Sequence, residues 1–388
     1  MGGVNGTFDN KFKEVRDLLE ANLASGEELG ASIAIDIDGD LLVDAWGGWR
    51  DEAQTLPWER DTIVNVWSTT KTVTSLAALV LVSRGQLDPF APVARYWPEF
   101  AAAGKEAVEV RHLLSHTSGV PALDPPATTE DYYDWDSSTS RLAAQAPWWE
   151  PGTASGYHIM NFGHLLGEVV RRVAGKTLKQ FVEDEIAKPL GADFQIGASA
   201  SDEGRIASVV PPPPLPIDVA AVDPTSVAVR AFAGSGTPDA TVAHSAAWRA
   251  ADIGAANGHG NARSVVRALS AVTLAGRGRG ASLLSSDTAE LIFEQQSDGI
   301  DLVLGVPLRF GIGFGLPQPQ TFPYIPSGRV CLWGGWGGSM IVMDLERRLT
   351  FAYMMNKMAG GLVGSPRAEA YFRAVYAALS VALPDTSR

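Results

Sequence analysis

Cysteine is almost absent from this sequence, which has 388 residues and a single cysteine, Cys331. One cysteine cannot form a disulfide within the chain, and such a composition is typical of proteins from a reducing compartment. No apolar stretch approaches the ~20 residues that a helix needs to cross a bilayer. The N-terminal residues also lack the basic start and the apolar run of a signal peptide. We therefore expect a cytoplasmic protein that does not associate with a membrane.

Two widespread catalytic signatures are missing as well. No serine stands in a Gly-x-Ser-x-Gly sequence, which excludes the nucleophile elbow of the α/β-hydrolases. The six histidines include no His-Glu-x-x-His pattern, which argues against a zinc site. Residues 258–260 (GHG) are glycine-rich but follow no predicted strand, so we do not interpret them as a nucleotide-binding loop. We expect no metal and no organic cofactor.

Positive charge is scarce relative to negative charge. The chain has 31 Lys and Arg residues against 44 Asp and Glu residues, which gives a formal net charge of −13. Phosphate backbones and anionic lipids repel such a chain, so nucleic acid is not an expected partner. Hydrophobic residues make up 46% of the sequence and charged residues 19%, as in globular proteins. These totals favour a globular protein that acts on a neutral or cationic small molecule.

Apolar periodicity predicts strands near both ends of the chain and helices between them. Residues 31–38 and 41–46 flank a Gly-Asp turn and predict a hairpin of two strands. Residues 329–333 and 339–356 predict further strands near the C-terminus. Helices are predicted over residues 10–24, from Ser68 to about Arg84, and over 110–116, 158–175, 178–190, 261–275 and 367–382.

This order of elements predicts an α+β fold with a discontinuous sheet domain. We assign residues 1–67 and 261–388 to that domain, in which an antiparallel sheet is flanked by helices. Residues 68–260 are predicted to form a mainly helical domain, with the active site in the cleft between the two. The proline-rich residues 211–216 (PPPPLP) fit neither a helix nor a central strand, and we interpret them as a surface connector.

The first segment that suggests chemistry is WSTTK at residues 67–71. At the start of a helix, Ser68 and Lys71 lie one turn apart on the same face. A serine hydroxyl needs a base to become a nucleophile, and a lysine can serve only if its pKa falls well below ~10.4. The uncharged residues 72–82 that follow favour a desolvated lysine. In isolation, the same pattern also fits a helix-capping serine and a solvated lysine.

Two further segments are rich in small and aromatic residues. In the first, Tyr157 follows a Pro-Gly turn and lies at the mouth of a predicted helix. The second is WGGWGGS at residues 333–339, where the lack of side chains lets another molecule approach the backbone. The same glycines fit a β-bulge or a tight sheet edge. Neither segment is specific on its own.

The three segments, in this order, resemble the class C β-lactamase and family VIII serine esterase family, which includes the penicillin-recognising enzymes. The resemblance covers residues 15–380 as one unit and implies a class C β-lactamase-like fold. It also implies that Ser68 is acylated, that Lys71 and Tyr157 handle its proton, and that the backbone N–H groups of Ser68 and Trp336 bind the oxyanion. Further similar segments are GQLDP at 85–89, YWPEF at 96–100, LLSHTSG at 113–119, EPG at 150–152 and AYMMN at 352–356.

Two departures from the family pattern shape the expected substrate. β-Lactamases of this class carry Tyr-x-Asn and Lys-Thr-Gly, whereas here position 159 is Ile and residues 333–335 are Trp-Gly-Gly. The chain therefore lacks an amide that orients the antibiotic side chain and a cation that pairs with its carboxylate. In this respect it resembles the esterase-like branch of the family. The residues that we expect to contact the substrate are Trp67, His158, Trp333, Gly334 and Gly335.

We therefore expect a serine carboxylesterase that hydrolyses small to medium apolar esters through an acyl-enzyme on Ser68. An acyltransferase of the same fold stays open, since it differs only in whether an alcohol or water accepts the acyl group. A β-lactamase, a D-amino-acid peptidase and a penicillin-binding protein without turnover stay open too. The expected partner is a small-molecule ester, and the sequence does not indicate an oligomeric state.

Overall fold

The computed structural model describes residues 3–214, 223–236, 239–277 and 282–384. No helix within these ranges is both long enough and apolar enough to span a bilayer. The strands are β1 (Asn5–Phe8), β2 (Gly30–Ile37), β3 (Asp40–Gly48), β4 (Val64–Asn65), β5 (Gln195–Ile196), β6 (Gly258–Gly260), β7 (Ser297–Ile300), β8 (Pro307–Phe310), β9 (Val330–Gly334), β10 (Met340–Asp344) and β11 (Leu349–Met355). The α-helices are α1 (Lys13–Ser25), α2 (Thr70–Ser83), α3 (Val110–Leu114), α4 (Trp135–Ala144), α5 (Phe162–Ala174), α6 (Leu178–Val182), α7 (Lys188–Leu190), α8 (Val227–Gly234), α9 (Ala246–Ala250), α10 (Ala262–Thr273), α11 (Ser286–Leu291) and α12 (Pro366–Ala378).

A six-stranded antiparallel sheet forms the centre of the molecule, in the order β1-β3-β2-β11-β10-β9. Its strands come from residues 5–48 and 330–355, so the two ends of the chain pair with each other along β2 and β11. The register places Ala34 opposite Ala352 and Ile35 opposite Phe351. The prediction of an α+β fold with an antiparallel sheet flanked by helices is confirmed.

Both faces of this sheet are buried beneath helices. Ala34 and Ala352 belong to a core shared with α2 and α10, whereas Ile35 and Phe351 belong to a second core shared with α12. Successive residues of a strand point to opposite faces of the sheet. Because each face has its own core, β2 and β11 are buried along almost their whole length and read as continuous apolar runs.

Helix α2 is buried from Thr70 to Leu81 and packs against α5, α6 and α10. A helix that is apolar on all sides belongs in the interior of a protein. Its first turn therefore carries Lys71 into surroundings that exclude water. Helix α5, which packs beside it, ends at Gly175 in the left-handed conformation that favours glycine at a C-cap.

Short segments account for the differences from the sequence-based predictions. The helix predicted from Ser68 begins with a 3-10 turn, Trp67–Thr69, and the α-helix starts only at Thr70. Gly258–Gly260 forms strand β6 between β4 and β5. The local pattern predicts no strand there, because the two partner strands lie far away in the chain. Residues 211–214 of the proline-rich stretch form neither helix nor strand, and 215–216 lie outside the described residues. The division into a sheet domain and a helical domain stays a prediction.

Candidate active site

Ser68 lies at the entrance to α2, in the 3-10 turn Trp67–Thr69. The preceding residue, Trp67, has a φ angle of 49°, in the left-handed region that residues other than glycine seldom adopt. Its indole ring is buried against Trp248 and Trp336, at centroid distances of 5.7 and 5.2 Å. This aromatic packing holds the strained turn in place. The half-buried Ser68 side chain in this turn faces a cavity.

Lys71 lies one helical turn after Ser68, and its side chain is buried. Its Nζ atom is 3.1 Å from Ser68 Oγ. It also donates hydrogen bonds to the backbone carbonyl oxygens of Ile159 at 2.8 Å and Ala255 at 2.9 Å. Burial lowers the pKa of Lys71 well below its usual range, because the charged ammonium loses its hydration.

The surroundings of the Lys71 amine match its neutral form. A neutral amine has two N–H groups and one lone pair, whereas a carbonyl oxygen can only accept a hydrogen bond. The carbonyl groups of Ile159 and Ala255 therefore occupy both N–H groups. In that form the lone pair is left for the third neighbour, the Ser68 hydroxyl at 3.1 Å, which can donate its proton to it, whereas a protonated amine would donate to Ser68 Oγ. A general base for a serine nucleophile requires this arrangement.

Tyr157 completes the group around the Ser68 hydroxyl. Its phenol oxygen accepts a hydrogen bond from the indole N–H of Trp333 at 2.9 Å, and it also shares a hydrogen bond with the Ser68 side chain. The Lys71 amine lies 4.7 Å from the centre of the phenol ring. Burial raises the pKa of Tyr157 well above its usual range, and its hydrogen bonds with Ser68 and Trp333 offset only part of that shift. The phenol therefore keeps its proton at neutral pH.

The two pKa shifts favour different roles for Lys71 and Tyr157. The sequence-based expectation lets both residues remove the Ser68 proton. The lowered pKa of Lys71 favours a proton acceptor, and the raised pKa of Tyr157 favours a proton donor. Two groups whose pKa values are pushed in opposite directions can serve as base and acid in one reaction.

The glycine-rich segment after β9 packs directly against the turn that carries Ser68. A Cβ atom on Gly335 would lie 2.3 Å from the carbonyl oxygen of Val66 and 2.4 Å from Ser339 Oγ. Ser339 Oγ also donates a hydrogen bond to that carbonyl oxygen at 3.0 Å. The sequence alone suggests that these glycines let another molecule approach the backbone. At Gly335, however, the space that a side chain would fill is occupied by Val66 and Ser339 of the same chain. The backbone N–H of Trp336, next along, has no acceptor among the described residues, as an oxyanion site requires.

The cavity beside Ser68 has a volume of about 490 Å³ and is lined almost wholly by apolar side chains. None of the described residues that line it is charged, so this part of the chain offers no ion-pair partner for a carboxylate or an ammonium group on a substrate. Five of the residues expected at the substrate or the oxyanion, Trp67, Ser68, Trp333, Gly334 and Trp336, do line it. The other lining residues are Tyr157, Ile159, Met160, Phe232, Ala256, Leu304, Phe322, Met340, Leu362, Val363 and Gly364.

His158 and Gly335 do not line the cavity, which corrects the expectation that they contact the substrate. The His158 ring is fully buried and bonded to Ser118 Oγ at 2.7 Å and to the carbonyl oxygen of Gly156 at 2.8 Å. Burial lowers its pKa to about 3, so the ring is neutral. A carbonyl oxygen can only accept, so Nδ1 carries the proton and Nε2 accepts from Ser118. His158 therefore supports the backbone behind Tyr157.

His116 is a residue at this site to which sequence reasoning assigned no role with Tyr157. Its Nδ1 atom accepts a hydrogen bond from the backbone N–H of His158 at 3.1 Å. Its ring lies 4.7 Å from the Tyr157 ring and 4.8 Å from that of Phe162, between centroids. His116 has a φ angle of 62°, and the LLSHTSG sequence around it is the only local signal that marks it. The ring serves as a wall that keeps the phenol in place.

Comparisons with known proteins place this geometry in a family. The sequence matches the beta-lactamase family model over residues 15–376. One curated relative, the esterase/beta-lactamase LipL of Mycobacterium tuberculosis, is 33% identical over 348 residues, which are 86% of this chain and 78% of that protein. The match confirms the resemblance inferred from the three sequence segments.

Two solved structures extend this agreement to the fold. A family VIII carboxylesterase is 37% identical, with a TM-score of 0.89 over 97% of this chain and 99% of the other. A penicillin-binding protein homologue from Caulobacter crescentus is 36% identical, with the same TM-score of 0.89 and the same coverage of 97% and 99%. Because the family match spans nearly the whole chain and the backbones agree throughout, this protein belongs to the beta-lactamase family and is a serine hydrolase of that fold.

Proposed function

We propose that this protein is a carboxylesterase that hydrolyses small to medium apolar esters through an acyl-enzyme on Ser68. The observation that carries the proposal is the buried Lys71 amine, which lies 3.1 Å from Ser68 Oγ at the wall of a cavity whose described lining residues are all uncharged. Similar proteins described as an esterase/beta-lactamase and as a family VIII carboxylesterase support the same class of reaction.

In the proposed acylation step, Ser68 Oγ attacks the carbonyl carbon of the ester while its proton passes to Lys71 Nζ. The backbone N–H groups of Ser68 and Trp336 stabilise the resulting oxyanion. The bond between that carbon and the alcohol oxygen then breaks, and the Tyr157 phenol donates its proton to the leaving oxygen. The proton held by Lys71 passes to the phenolate, which restores both groups.

In the proposed deacylation step, water takes the place of the departed alcohol. Lys71 accepts a proton from the water as its oxygen attacks the acyl carbon. The tetrahedral intermediate collapses, Ser68 Oγ leaves, and Lys71 returns the proton to it. An alcohol in place of water would make the same reaction an acyl transfer.

The cavity supports esters over β-lactams as the preferred substrates. A β-lactam antibiotic carries a carboxylate, and no lining residue offers a cation for it. At position 159 the side chain is that of Ile, which cannot hydrogen-bond an antibiotic amide, and Trp333 stands where the β-lactamases carry Lys. An uncharged, aromatic wall instead suits apolar acyl and alcohol groups.

β-Lactam hydrolysis is a second candidate, and one observation favours it. The relative LipL, which is 33% identical, is named as both an esterase and a beta-lactamase. A D-amino-acid peptidase or a penicillin-binding protein without turnover would use the same Ser68 and Lys71. These candidates differ in the bond that is cleaved and in whether the acyl group is released, and both differences can be measured.

The test combines labelling of the nucleophile with a comparison of substrates. The wild-type protein is incubated with a fluorophosphonate, and the modified residue is located by mass spectrometry. The kcat/KM values for p-nitrophenyl butyrate, nitrocefin and D-alanine p-nitroanilide are then measured, with and without a competing alcohol. We expect the label on Ser68 and the highest kcat/KM for the ester.

Each of the other outcomes would contradict part of this proposal or indicate a different activity. A label on any residue other than Ser68 would refute the mechanism. A kcat/KM for nitrocefin or the anilide that equals that for the ester would refute the preference for esters. A burst of nitrocefin cleavage without steady turnover, with no ester turnover, would indicate a penicillin-binding protein. Ester products formed with the added alcohol would indicate an acyltransferase.

The two pKa shifts predict how esterase activity depends on pH. Lys71 cannot act as a base while it is protonated, so kcat/KM is expected to be lost as the pH falls through its lowered pKa. Tyr157, whose pKa is raised, keeps its proton beyond the ordinary tyrosine value of about 10, so no alkaline loss is expected below that pH. A pH profile of kcat/KM for ethyl butyrate, whose leaving group needs the Tyr157 proton, checks both limbs, and a bell-shaped profile centred near neutrality would contradict them.

Replacing Trp333 with phenylalanine is expected to lower kcat for ethyl butyrate roughly tenfold, by loss of one buried hydrogen bond to the phenol that protonates the leaving alcohol. Phenylalanine keeps an aromatic ring in the cavity wall but cannot donate to the phenol oxygen of Tyr157. Trp135→Phe is the matched control, because its indole N–H also donates a 2.9 Å bond, to Glu168, away from the cavity. Equal kcat values for the two variants would show that the bond to Tyr157 has no role in turnover.

A further inference from the structure

Asp301 is a fully buried carboxylate that faces the main chain of Tyr157. It lies in the turn that joins β7 to β8. One of its oxygens, Oδ1, accepts a hydrogen bond from the backbone N–H of Tyr157 at 3.0 Å. The same oxygen accepts from the backbone N–H groups of Val303 at 3.0 Å and Leu304 at 2.9 Å. Three donors converge on one atom, so the carboxylate orientation is fixed.

The turn that carries Asp301 is tied a second time to the segment that precedes Tyr157. The backbone N–H of Leu302 donates a 2.9 Å bond to the carbonyl oxygen of Ser155. Leu304, three residues after Asp301, lines the cavity together with Tyr157. One carboxylate oxygen of Asp301 therefore holds together the backbone of Tyr157 and that of Leu304, a residue that lines the cavity.

Asp301 holds Tyr157 and Leu304 together mainly by accepting hydrogen bonds, and its charge contributes less. Its second oxygen, Oδ2, is buried and has no hydrogen-bond partner among the described residues. Burial, Ser68 and Trp333 each influence the pKa of Tyr157 more than the charge of Asp301 does. An asparagine could place its carbonyl oxygen at the position of Oδ1 and accept the same three bonds, with its amide group where Oδ2 lies.

We propose that Asp301 is a positioning residue, which holds the Tyr157 phenol within reach of the leaving alcohol by accepting the Tyr157 backbone N–H. The inference rests on the proposed ester hydrolysis, in which Tyr157 gives its proton to that alcohol. A displaced phenol should matter most where the leaving group needs a proton. An alkoxide such as ethoxide needs one, whereas p-nitrophenolate leaves without one.

The kinetic test compares two esters of the same acid in two variants at one position. For Asp301→Ala, kcat/KM for ethyl butyrate is expected to fall ~100-fold, which is within the usual contribution of a general acid, while the value for p-nitrophenyl butyrate falls less than about fivefold. Asp301→Asn is expected to stay within about threefold of the wild type for both esters. Leu302→Ala, in the same turn but outside the cavity lining, is the control and should match the wild type.

Hydrogen exchange supplies a readout that does not depend on ester turnover. The amides of Tyr157, Val303 and Leu304 should exchange faster in Asp301→Ala and at the wild-type rate in Asp301→Asn, because only alanine removes their acceptor. If the wild type hydrolyses neither ester, the proposed function fails, and exchange still tests whether Asp301 holds Tyr157. Unchanged exchange in Asp301→Ala, or equal losses for both esters, would overturn the proposal.

Discussion

Replacing Lys71 with arginine is expected to lower kcat for p-nitrophenyl butyrate at least ~10³-fold, to within about tenfold of the Ser68→Ala variant. A guanidinium keeps its proton at every accessible pH, because its pKa exceeds 12. It therefore has no lone pair to accept the Ser68 proton, although it carries the positive charge that a protonated lysine would have, on a side chain of at least the same length. Near-equal losses in the two variants are expected of residues that act as one unit.

The expected loss in Lys71→Arg follows from the hydrogen bonds of the amine. Two carbonyl oxygens, of Ile159 and Ala255, occupy two N–H groups, so only a neutral amine leaves a lone pair for Ser68. If Lys71 instead acted through its charge, arginine would serve nearly as well. A Lys71→Arg variant that keeps more than a tenth of the wild-type kcat would therefore contradict a neutral base.

Lys105 offers a matched control for this experiment. It is also fully buried, and its amine also donates to backbone carbonyl oxygens, those of Ala102 at 2.7 Å and Ala143 at 3.0 Å, and of Gln145. It does not line the cavity, and its amine forms no hydrogen bond with a serine among the described residues. Lys105→Arg should keep the wild-type kcat even if its melting temperature falls. A loss of kcat in Lys105→Arg as large as in Lys71→Arg would show that any change of a buried lysine disrupts the site.

Replacing Gly335 with alanine is expected to lower kcat/KM for p-nitrophenyl butyrate ~10²–10³-fold in a protein that still folds. The added Cβ would lie 2.3 Å from the carbonyl oxygen of Val66, which is a backbone atom and cannot rotate away as a side chain could. The segment after β9 and the turn that carries Ser68 must therefore separate. Trp336, whose N–H is assigned to the oxyanion, moves with that segment, and a displacement of about 1 Å at a reacting group costs on the order of 10²-fold.

Gly204→Ala is the control for the glycine experiment, since a Cβ at this position meets no atom within 4 Å. Circular dichroism and melting temperatures establish that both variants are folded, and kcat/KM is then compared between them. Wild-type kcat/KM in a folded Gly335→Ala variant would show that the contact with Val66 does not set the geometry of the site. A loss in Gly204→Ala of the same size would attribute the effect to glycine replacement in general.

The residues around the nucleophile can be identified from the sequence because each belongs to a local pattern. Ser68 and Lys71 are three residues apart, and helical geometry alone places them on one face. The apolar residues 72–82 indicate that this helix is interior, which the structure confirms for α2. Tyr157 is distant from that helix in the sequence. Its assignment to the site depended on the resemblance between the order of the three segments and that of one family.

The same local reasoning misplaced His158. It stands next to Tyr157 in the sequence, and this suggests a shared site. The structure turns its ring toward Ser118 instead, while the phenol faces the cavity. Adjacent side chains outside a helix commonly point in different directions, so sequence adjacency alone does not indicate a shared pocket.

Other parts of the site left no signal in the sequence. The hydrogen-bond partners of the Lys71 amine are carbonyl groups of Ile159 and Ala255, and every residue in the chain has a carbonyl group. Asp301 is one of 44 acidic residues, and nothing around it marks a partner for Tyr157. These contacts exist only because segments far apart in the chain meet around α2.

The order of amino acids was sufficient to establish the family, the α+β fold, the helix that pairs a hydroxyl with an amine, and the absence of a charged anchor at positions 159 and 333. Those features depend on side-chain identity and on spacing within a few residues, which a linear pattern records. The tertiary structure decided that the amine is buried and its pKa lowered, that the Trp333 indole donates to the phenol, and that Gly335 packs against the chain itself. Each of these depends on burial or on contacts between atoms of segments that are remote in the chain, and a single residue's identity does not indicate them.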